Sequence, residues 1–184
     1  MVVFNRKSKE TNIKIRLKVY GSGKHDIKTP INFLTHMFEN FAKHGLFDIN
    51  LFVEGDINVD QHHTIEDSGI ALGQAFKSAL GDKKGINRTG FFAFPMDDSL
   101  GIVAIDLSGR PYLKYDIKFK RREIGDLNSD AIKHFFYGFS IGSSSNVAVY
   151  VPYGEDDHHK IEAVFKAFGK ALRMACSKDR RAKD

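Results

Sequence analysis

The chain has 184 residues, of which 42% are hydrophobic and 28% are charged, so it is predicted to be a globular protein rather than a disordered or fibrous one. No apolar run approaches the roughly 20 residues that a membrane-spanning helix needs, and we expect a cytoplasmic protein without membrane contacts. The single cysteine, Cys176, excludes an internal disulfide. The net charge of +5 allows an anionic partner, either a phosphorylated metabolite or a nucleic acid.

The first half of the sequence predicts strands and two helices. Alternating apolar residues predict a strand over 12–20, and Gly21-Ser-Gly23 predicts a hairpin turn after it. Thr29-Pro30 predicts the start of a helix that ends at Gly45, because proline is favoured at the first helical position and glycine at the end. The remaining elements are strands over 46–53 and 57–59, followed by a helix that starts at two adjacent histidines.

The second half follows the same order. Its predicted elements are strands over 91–94, 100–107 and 112–119, a polar turn over 123–128, a helix from about Ser129, a strand over 147–151 and a last helix that also starts at two histidines. The apolar positions of the two histidine helices coincide at a constant separation of 96 residues, from Ile65 and Phe76 to Ile161 and Leu172. We therefore predict two structural repeats, 1–90 and 91–184, that form one compact α+β domain with helices packed on mainly antiparallel sheets.

Each histidine helix opens with a His-His-x-x-Glu motif. On a helix, His62 and Glu66 are four residues apart and face one point, whereas His63 lies about 100° around the axis. One motif can therefore offer a histidine and a glutamate to one metal ion and its second histidine to another. The other candidate ligands are the second motif, His158, His159 and Glu162, and the lone upstream histidines His36 and His134.

Together these residues provide six imidazoles and two carboxylates, which is enough for two ions with three nitrogens and one oxygen each. Such a set suits Mn²⁺, Fe²⁺ or Zn²⁺ better than Mg²⁺ or Ca²⁺. A lone histidine on a helix is more often a solvated or core side chain, but two motifs with matching core faces favour a metal function. Arg88 and Arg110, next to turns, could bind phosphate, although exposed arginines are more often ordinary surface residues. Glu10 by itself is typical of a solvated charge.

Several segments in combination resemble imidazoleglycerol-phosphate dehydratase of histidine biosynthesis. The segments are 6–12, 36–37, 43–48, 62–67, 107–111 and 158–162, and the likeness runs from about Arg6 to Arg173. The resemblance implies a duplicated fold like domain 2 of ribosomal protein S5. It also implies two Mn²⁺ ions per active site, at the subunit interfaces of a homo-oligomer of 24 chains.

The same resemblance assigns roles to individual residues. The implied metal ligands are His36, His62, His63, Glu66, His134, His158, His159 and Glu162. Glu10 and His44 are implied to contact the substrate, and Arg88 and Arg110 its phosphate. The implied reaction is loss of water from imidazole glycerol phosphate to give imidazole acetol phosphate, with Glu10 as our candidate for the general base.

Three departures from the family pattern stand out. Thr35 replaces an aspartate before the first ligand histidine, Ala148 replaces a histidine in the last strand, and a phosphate-binding Ser-x-Lys element is not found before Asp184. The missing Ser-x-Lys element and Thr35 favour, as an alternative, a metal-dependent assembly protein of the same family that has lost catalysis, whereas the presence of Glu10, Arg88 and Arg110 argues against it. A nucleic-acid binder is a third interpretation, based on charge and an S5-like fold, but it gives no reason for the repeated histidines.

Overall fold

The computed structural model describes residues 1–179 and 181, and it begins with a four-stranded sheet. The strands of this first sheet are β1 (Val2–Lys7), β2 (Thr11–Lys18), β3 (His25–Lys28) and β4 (Asp48–Gly55), in the order β1-β2-β4-β3. The helices of the same half are α1 (Asn32–Gly45) and α2 (His62–Leu80). Alternate residues of β2 are buried, so one face of the sheet packs on helices and the other is exposed.

The second half repeats this arrangement. Its sheet contains β5 (Thr89–Met96), β6 (Ser99–Asp106), β7 (Tyr112–Asp116) and β10 (Asn146–Tyr150), in the corresponding order β5-β6-β10-β7. Its helices are α3 (Ala131–Ser143) and α4 (Asp157–Cys176), and a short ribbon of β8 (Glu123–Ile124) and β9 (Leu127–Asn128) precedes α3. The matching strand orders agree with an internal duplication, and the mainly antiparallel α+β architecture is confirmed.

The helices lie between the two sheets and pair across the two halves of the chain. Helix α1 packs on α4, and α2 packs on α3. Both pairs run parallel: Gly69 and Gly73 of α2 contact α3 around Phe135 and Phe139 in the same sequence order. The N-terminal ends of the helices in each pair are therefore neighbours. Among the described residues, no helix combines the length and the hydrophobicity that crossing a bilayer requires.

The structure corrects two local predictions and adds two strands that were not predicted. Gly21–Gly23 is not a hairpin turn, because β4 lies between β2 and β3, and β3 pairs with β4 in parallel. The Asp48 carboxylate instead holds this crossover by accepting the Ser22 and Lys24 N–H groups at 2.7 and 3.1 Å. Residues 57–59 form a turn rather than a strand, and β1 and β3 were not predicted.

The start of α1 also differs from its prediction. Pro30 lies before the helix, whose first residue is Asn32. The Thr29 hydroxyl accepts the Ile31 N–H at 3.1 Å, so it orders the approach to the helix rather than capping its first turn. At the other end the helix closes at Gly45, but the left-handed residue is Leu46, with a φ of 56°.

Candidate metal centre

One cluster of candidate ligands lies between the N-terminal turns of α2 and α3. His62 Nε2 is 2.9 Å from Glu66 Oε2, as their four-residue spacing on α2 predicts. From α3, His134 Nδ1 approaches the same carboxylate oxygen at 4.0 Å, and its ring lies 3.9 Å from that of His62 between centroids. The three donor atoms lie within 4.8 Å of one another, a separation that one metal ion can bridge.

A second cluster lies between α1 and α4. His158 Nε2 is 3.0 Å from Glu162 Oε2, and His36 Nε2 is 3.8 Å from the same oxygen. The Asp156 carboxylate caps α4 by accepting the His158 N–H at 2.7 Å, whereas Asp60, one residue before the N-cap position of α2, accepts the His62 N–H at 2.9 Å. Each motif is therefore fixed to its helix start by an aspartate two residues earlier.

The lone histidines join the clusters in an exchanged pattern. The sequence suggests that each half of the chain forms its own half-site, with His36 upstream of the first motif and His134 upstream of the second. The structure instead places His36 with the second motif and His134 with the first. The reason is the helix pairing, since α1 contacts α4 and α2 contacts α3. Each cluster therefore contains residues from both halves.

The second histidine of each motif points away from the clusters of its own chain. His63 Nδ1 lies 3.2 Å from the carboxylate of Glu10, in the turn between β1 and β2. His159 Nδ1 lies 2.7 Å from Asp98 Oδ1, in the corresponding turn between β5 and β6. The roughly 100° offset between adjacent helical residues produces this divergence. Within one chain, each cluster thus brings together two imidazoles and one carboxylate.

The charges around the clusters favour the protonation states that bind metal. Burial, and then the charge of neighbouring His62, lower the pKa of His134, a shift that favours its neutral form. Burial opposes ionisation of Glu162, but a hydrogen bond and the charge of Lys166 outweigh it, and the pKa of Glu162 is lowered. A neutral imidazole and an ionised carboxylate are the ligand forms of these side chains.

Three polar residues that contact candidate ligands were missed by sequence analysis. Lys166 Nζ is 2.9 Å from Glu162 Oε1, one helical turn further along α4. The Asn40 amide lies 3.2 Å from His36 Nε2, and Asp98 contacts His159. For Lys166 and Asn40, a spacing of four residues from a candidate ligand was a usable signal. Asp98 has no such signal, because the turn that carries it reaches His159 through the fold.

The predicted substrate-binding residues divide into two groups. His44 lies on α1, where its ring packs edge-on against Phe94 at 5.3 Å. Burial, and then the charge of Lys166, lower the pKa of His44. His44 lies two helical turns after the cluster residue His36 on α1, roughly 12 Å along the helix axis. Arg88 lies elsewhere, with its guanidinium 2.8 Å from Asp106. The hydrogen bond from Arg88 and the charge of Arg110 hold the pKa of Asp106 below its ordinary value.

The two arginines are far from the clusters of their own chain. The Arg88 N–H bonds to the carbonyl of Ala175 at 2.9 Å, near the end of α4, whereas His158 is the second residue of that helix. A helix rises 1.5 Å per residue, so these points are roughly 25 Å apart. One chain therefore does not bring the candidate phosphate ligands and the candidate metal ligands to one place.

Two of the family departures have clear structural surroundings. The Thr35 hydroxyl lies 3.0 Å from the Thr29 hydroxyl and 3.3 Å from the Ile31 carbonyl, so it stabilises the start of α1. His36 instead has Asn40 and Glu39 as neighbours. Ala148 is exposed on β10, on the face of the second sheet turned away from the helices.

The fold and the two clusters define a duplicated α+β protein with histidine–carboxylate groups of the kind found in metal enzymes. The family model described as imidazoleglycerol-phosphate dehydratase matches residues 29–172. Named relatives include that of Koribacter versatilis, 54% identical over 96% of this chain and 91% of its own length, and that of Acinetobacter baylyi, 49% identical over 96% and 88%.

Solved structures of the same enzyme are similar in fold. That from Staphylococcus aureus has a TM-score of 0.85 at 31% identity, covering 97% of this chain and all of its own. That from Pyrococcus furiosus has a TM-score of 0.84 at 32% identity, covering 98% and 97%. The chain belongs to the imidazoleglycerol-phosphate dehydratase family and is therefore a dehydratase, a hydro-lyase of histidine biosynthesis.

Proposed function

We propose that the chain removes water from D-erythro-imidazole glycerol phosphate to give imidazole acetol phosphate, using two Mn²⁺ ions per active site. The observation that carries this proposal is the pair of clusters, each with two imidazoles and one carboxylate within 4.8 Å. Because it includes imidazole nitrogens, this donor set fits a transition-metal ion such as Mn²⁺ better than Mg²⁺ or Ca²⁺, which prefer all-oxygen shells. Bound there, the ions would act as Lewis acids that hold the substrate imidazole and favour its deprotonated form.

Glu10 is the proposed general base. Its carboxylate lies 3.2 Å from His63, and about half of the side chain is exposed, so a substrate can reach it. Removal of a carbon-bound proton beside the departing hydroxyl gives an enol, which becomes the ketone of the product. A positioned base contributes roughly 10²- to 10⁴-fold to such a step. His44, two helical turns after His36 on α1, is proposed to contact the substrate as well.

The proposed active site is built from more than one copy of the chain. Each cluster has two of the three nitrogens that we assign to an ion, while His63 and His159 point outward. We propose that these histidines complete the clusters of neighbouring copies, so that all eight candidate residues become ligands. The roughly 25 Å between the arginines and the clusters of one chain supports the same arrangement. A homo-oligomer of 24 chains with metal ions at its interfaces is the proposed assembly.

Arg88 and Arg110 are the proposed phosphate ligands. The Arg88 guanidinium bonds to Asp106, and the charge of Arg110 also lowers the pKa of that carboxylate. Arg88 has a left-handed backbone with a φ of 67°, which is uncommon for a residue other than glycine. Two guanidinium charges and one carboxylate charge leave a net positive charge, which suits a phosphate monoester.

The deciding experiment is turnover of imidazole glycerol phosphate by metal-stripped protein, with and without added Mn²⁺. We expect product only with Mn²⁺, and we expect Glu10→Gln to lower kcat at least 100-fold while two ions remain bound per chain. An exposed glutamate on β8, Glu123, supplies the control Glu123→Gln. Bound Mn²⁺ without any product would contradict the proposed reaction and favour the assembly protein. Normal turnover by Glu10→Gln would remove Glu10 from the role of base.

A further inference from the structure

Glu10 is held in place through its backbone rather than through its side chain. The Ser8 hydroxyl accepts the N–H groups of Glu10 and Thr11 at 3.2 and 3.0 Å, and the Glu10 carbonyl accepts the Asp56 N–H at 3.2 Å. The carboxylate itself is about half exposed. The position of this carboxylate beside His63 therefore depends on how firmly the turn between β1 and β2 is fixed to the rest of the molecule.

Asp67 on α2 provides that attachment. Its Oδ1 accepts two bonds from the Arg6 guanidinium, at 3.1 and 2.8 Å, and its Oδ2 accepts the Thr11 hydroxyl at 2.5 Å. The Ser8 hydroxyl lies 3.5 Å from the same oxygen. Asp67 is 14% exposed, so these charge-assisted bonds are shielded from solvent. Residues on both sides of Glu10 are thus tied to the helix that carries His62, His63 and Glu66.

The second half of the chain shows that the fold does not require this attachment. The position that corresponds to Asp67, 96 residues later, is Ala163, which is fully buried. There α4 packs directly on β6, since a Cβ on Gly101 would lie 2.6 Å from the Ala163 carbonyl carbon. Asp98, the counterpart of Glu10, has its own carboxylate fixed by the Glu155 and Asp156 N–H groups. Asp67 thus occurs in the half of the chain where the acidic side chain of the turn, Glu10, accepts no backbone N–H group among the described residues.

We propose that Asp67, acting through Arg6 and Thr11, is a positioning residue that holds Glu10 at the reacting carbon. This inference rests on the proposed role of Glu10 as the base. Asp67 does not touch the substrate, so its removal displaces the base without removing a ligand of the metal or of the phosphate. Because displacement by about 1 Å can cost 10²-fold in rate, the effect is expected mainly on kcat.

The test compares Asp67→Asn with wild-type protein loaded with Mn²⁺. We expect kcat to fall about 10- to 100-fold, with KM within about threefold and the metal content unchanged. Hydrogen exchange of the 8–11 segment, measured in metal-free protein, should become faster. Asp26 is an exposed aspartate on β3, and Asp26→Asn is the matched control. This control should change neither kcat nor the hydrogen exchange of the 8–11 segment. Thr11→Ser keeps the hydroxyl and should retain turnover, whereas Thr11→Val removes the bond to Asp67 and should lower kcat by less than Asp67→Asn does.

A double-mutant cycle separates positioning from general damage. If Asp67 acts through Glu10, adding Asp67→Asn to Glu10→Gln costs no further kcat. An additional loss in the double variant would overturn the inference, as would unchanged exchange of the 8–11 segment in Asp67→Asn. A fully active Asp67→Asn beside an inactive Glu10→Gln would refute the positioning role and leave the proposed base intact. A fully active Glu10→Gln would instead refute the base itself. Thr11→Val serves as the milder variant if Asp67→Asn does not fold.

Discussion

Asp157 forms a buried ion pair next to the second motif. Its carboxylate, 1% exposed, accepts Lys160 Nζ at 2.7 Å and the Lys120 and Arg121 N–H groups at 2.8 Å each. Burial raises the pKa of Asp157, but the hydrogen bond from Lys160 and those from the backbone outweigh it, so the pKa is lowered from 3.8. The pair fixes the segment before β8 to the start of α4, beside His158.

Asp157→Asn is expected to lower the free energy of unfolding by about 3–5 kcal/mol at pH 7, because Lys160 stays buried without its counter-charge. A carboxylate whose pKa is lowered on folding stabilises the folded protein at pH values above its pKa in the unfolded chain. This stabilisation is lost as the pH falls through its pKa in the folded protein. The difference in the free energy of unfolding between variant and wild type should therefore become smaller below about pH 4. Urea unfolding of metal-free protein measures this difference. Asp116→Asn, which is exposed, is the control. An equal difference at pH 3 and pH 7 would contradict this account.

At the residue scale, the sequence predicts contacts that depend on local geometry. The proximity of His62 to Glu66 follows from a four-residue spacing on one helix, and the structure places them 2.9 Å apart. The contact of His159 with Asp98 depends on how a strand turn lies against a helix, so no spacing reveals it. Whether the eight candidate residues bind metal stays a prediction.

Close approach of α2 and α3 is what brings the first cluster together. A Cβ on Gly138 would lie 2.4 Å from the Glu66 carbonyl oxygen, so only glycine allows the observed separation. Alanine normally stabilises a helix by about 1 kcal/mol relative to glycine, but here it would push the two helices apart. The distance between His62 and His134 would increase with the helix separation.

Gly138→Ala is therefore expected to destabilise the protein by about 1–3 kcal/mol and to reduce bound Mn²⁺ from two ions per chain to one. The α1–α4 cluster, which this substitution does not touch, is the internal reference. Lys133→Ala, exposed on the same helix, should change neither stability nor metal content. Metal analysis after dialysis measures the bound Mn²⁺, and thermal unfolding measures the change in stability. Retention of two ions with unchanged stability would show that the helices can adjust.

At the element scale, long periodic helices were predictable and short edge strands were not. All four helices carry the 3.6-residue pattern, whereas β1 and β3 are edge strands with several exposed side chains. The hairpin at Gly21–Gly23 was wrong because adjacency in sequence does not reveal that β4 inserts between β2 and β3. The exchange of His36 and His134 was equally hidden, since the two halves have the same pattern and either pairing satisfies it.

The outward orientation of His63 and His159 leads to a prediction for the whole molecule. If these histidines complete clusters in neighbouring copies, removing the metal should weaken the contacts between copies. We expect EDTA-treated protein to sediment as a smaller species and Mn²⁺ to restore the large one. His63→Ala and His159→Ala should block this recovery, whereas His25→Ala, exposed on β3, should not. A metal-free protein of unchanged size would contradict the interface position of the ions.

Because each cluster takes its candidate ligands from both halves, neither half carries a complete cluster. An ancestor of half the length would have needed a second copy of itself to bring the same three side chains together. Joining two such copies in one chain makes their association intramolecular, so it no longer depends on the protein concentration. The connecting chain then sets the effective concentration of one half for the other. Once joined, the two clusters no longer need identical surroundings, and one half can keep Asp67 where the other has Ala163.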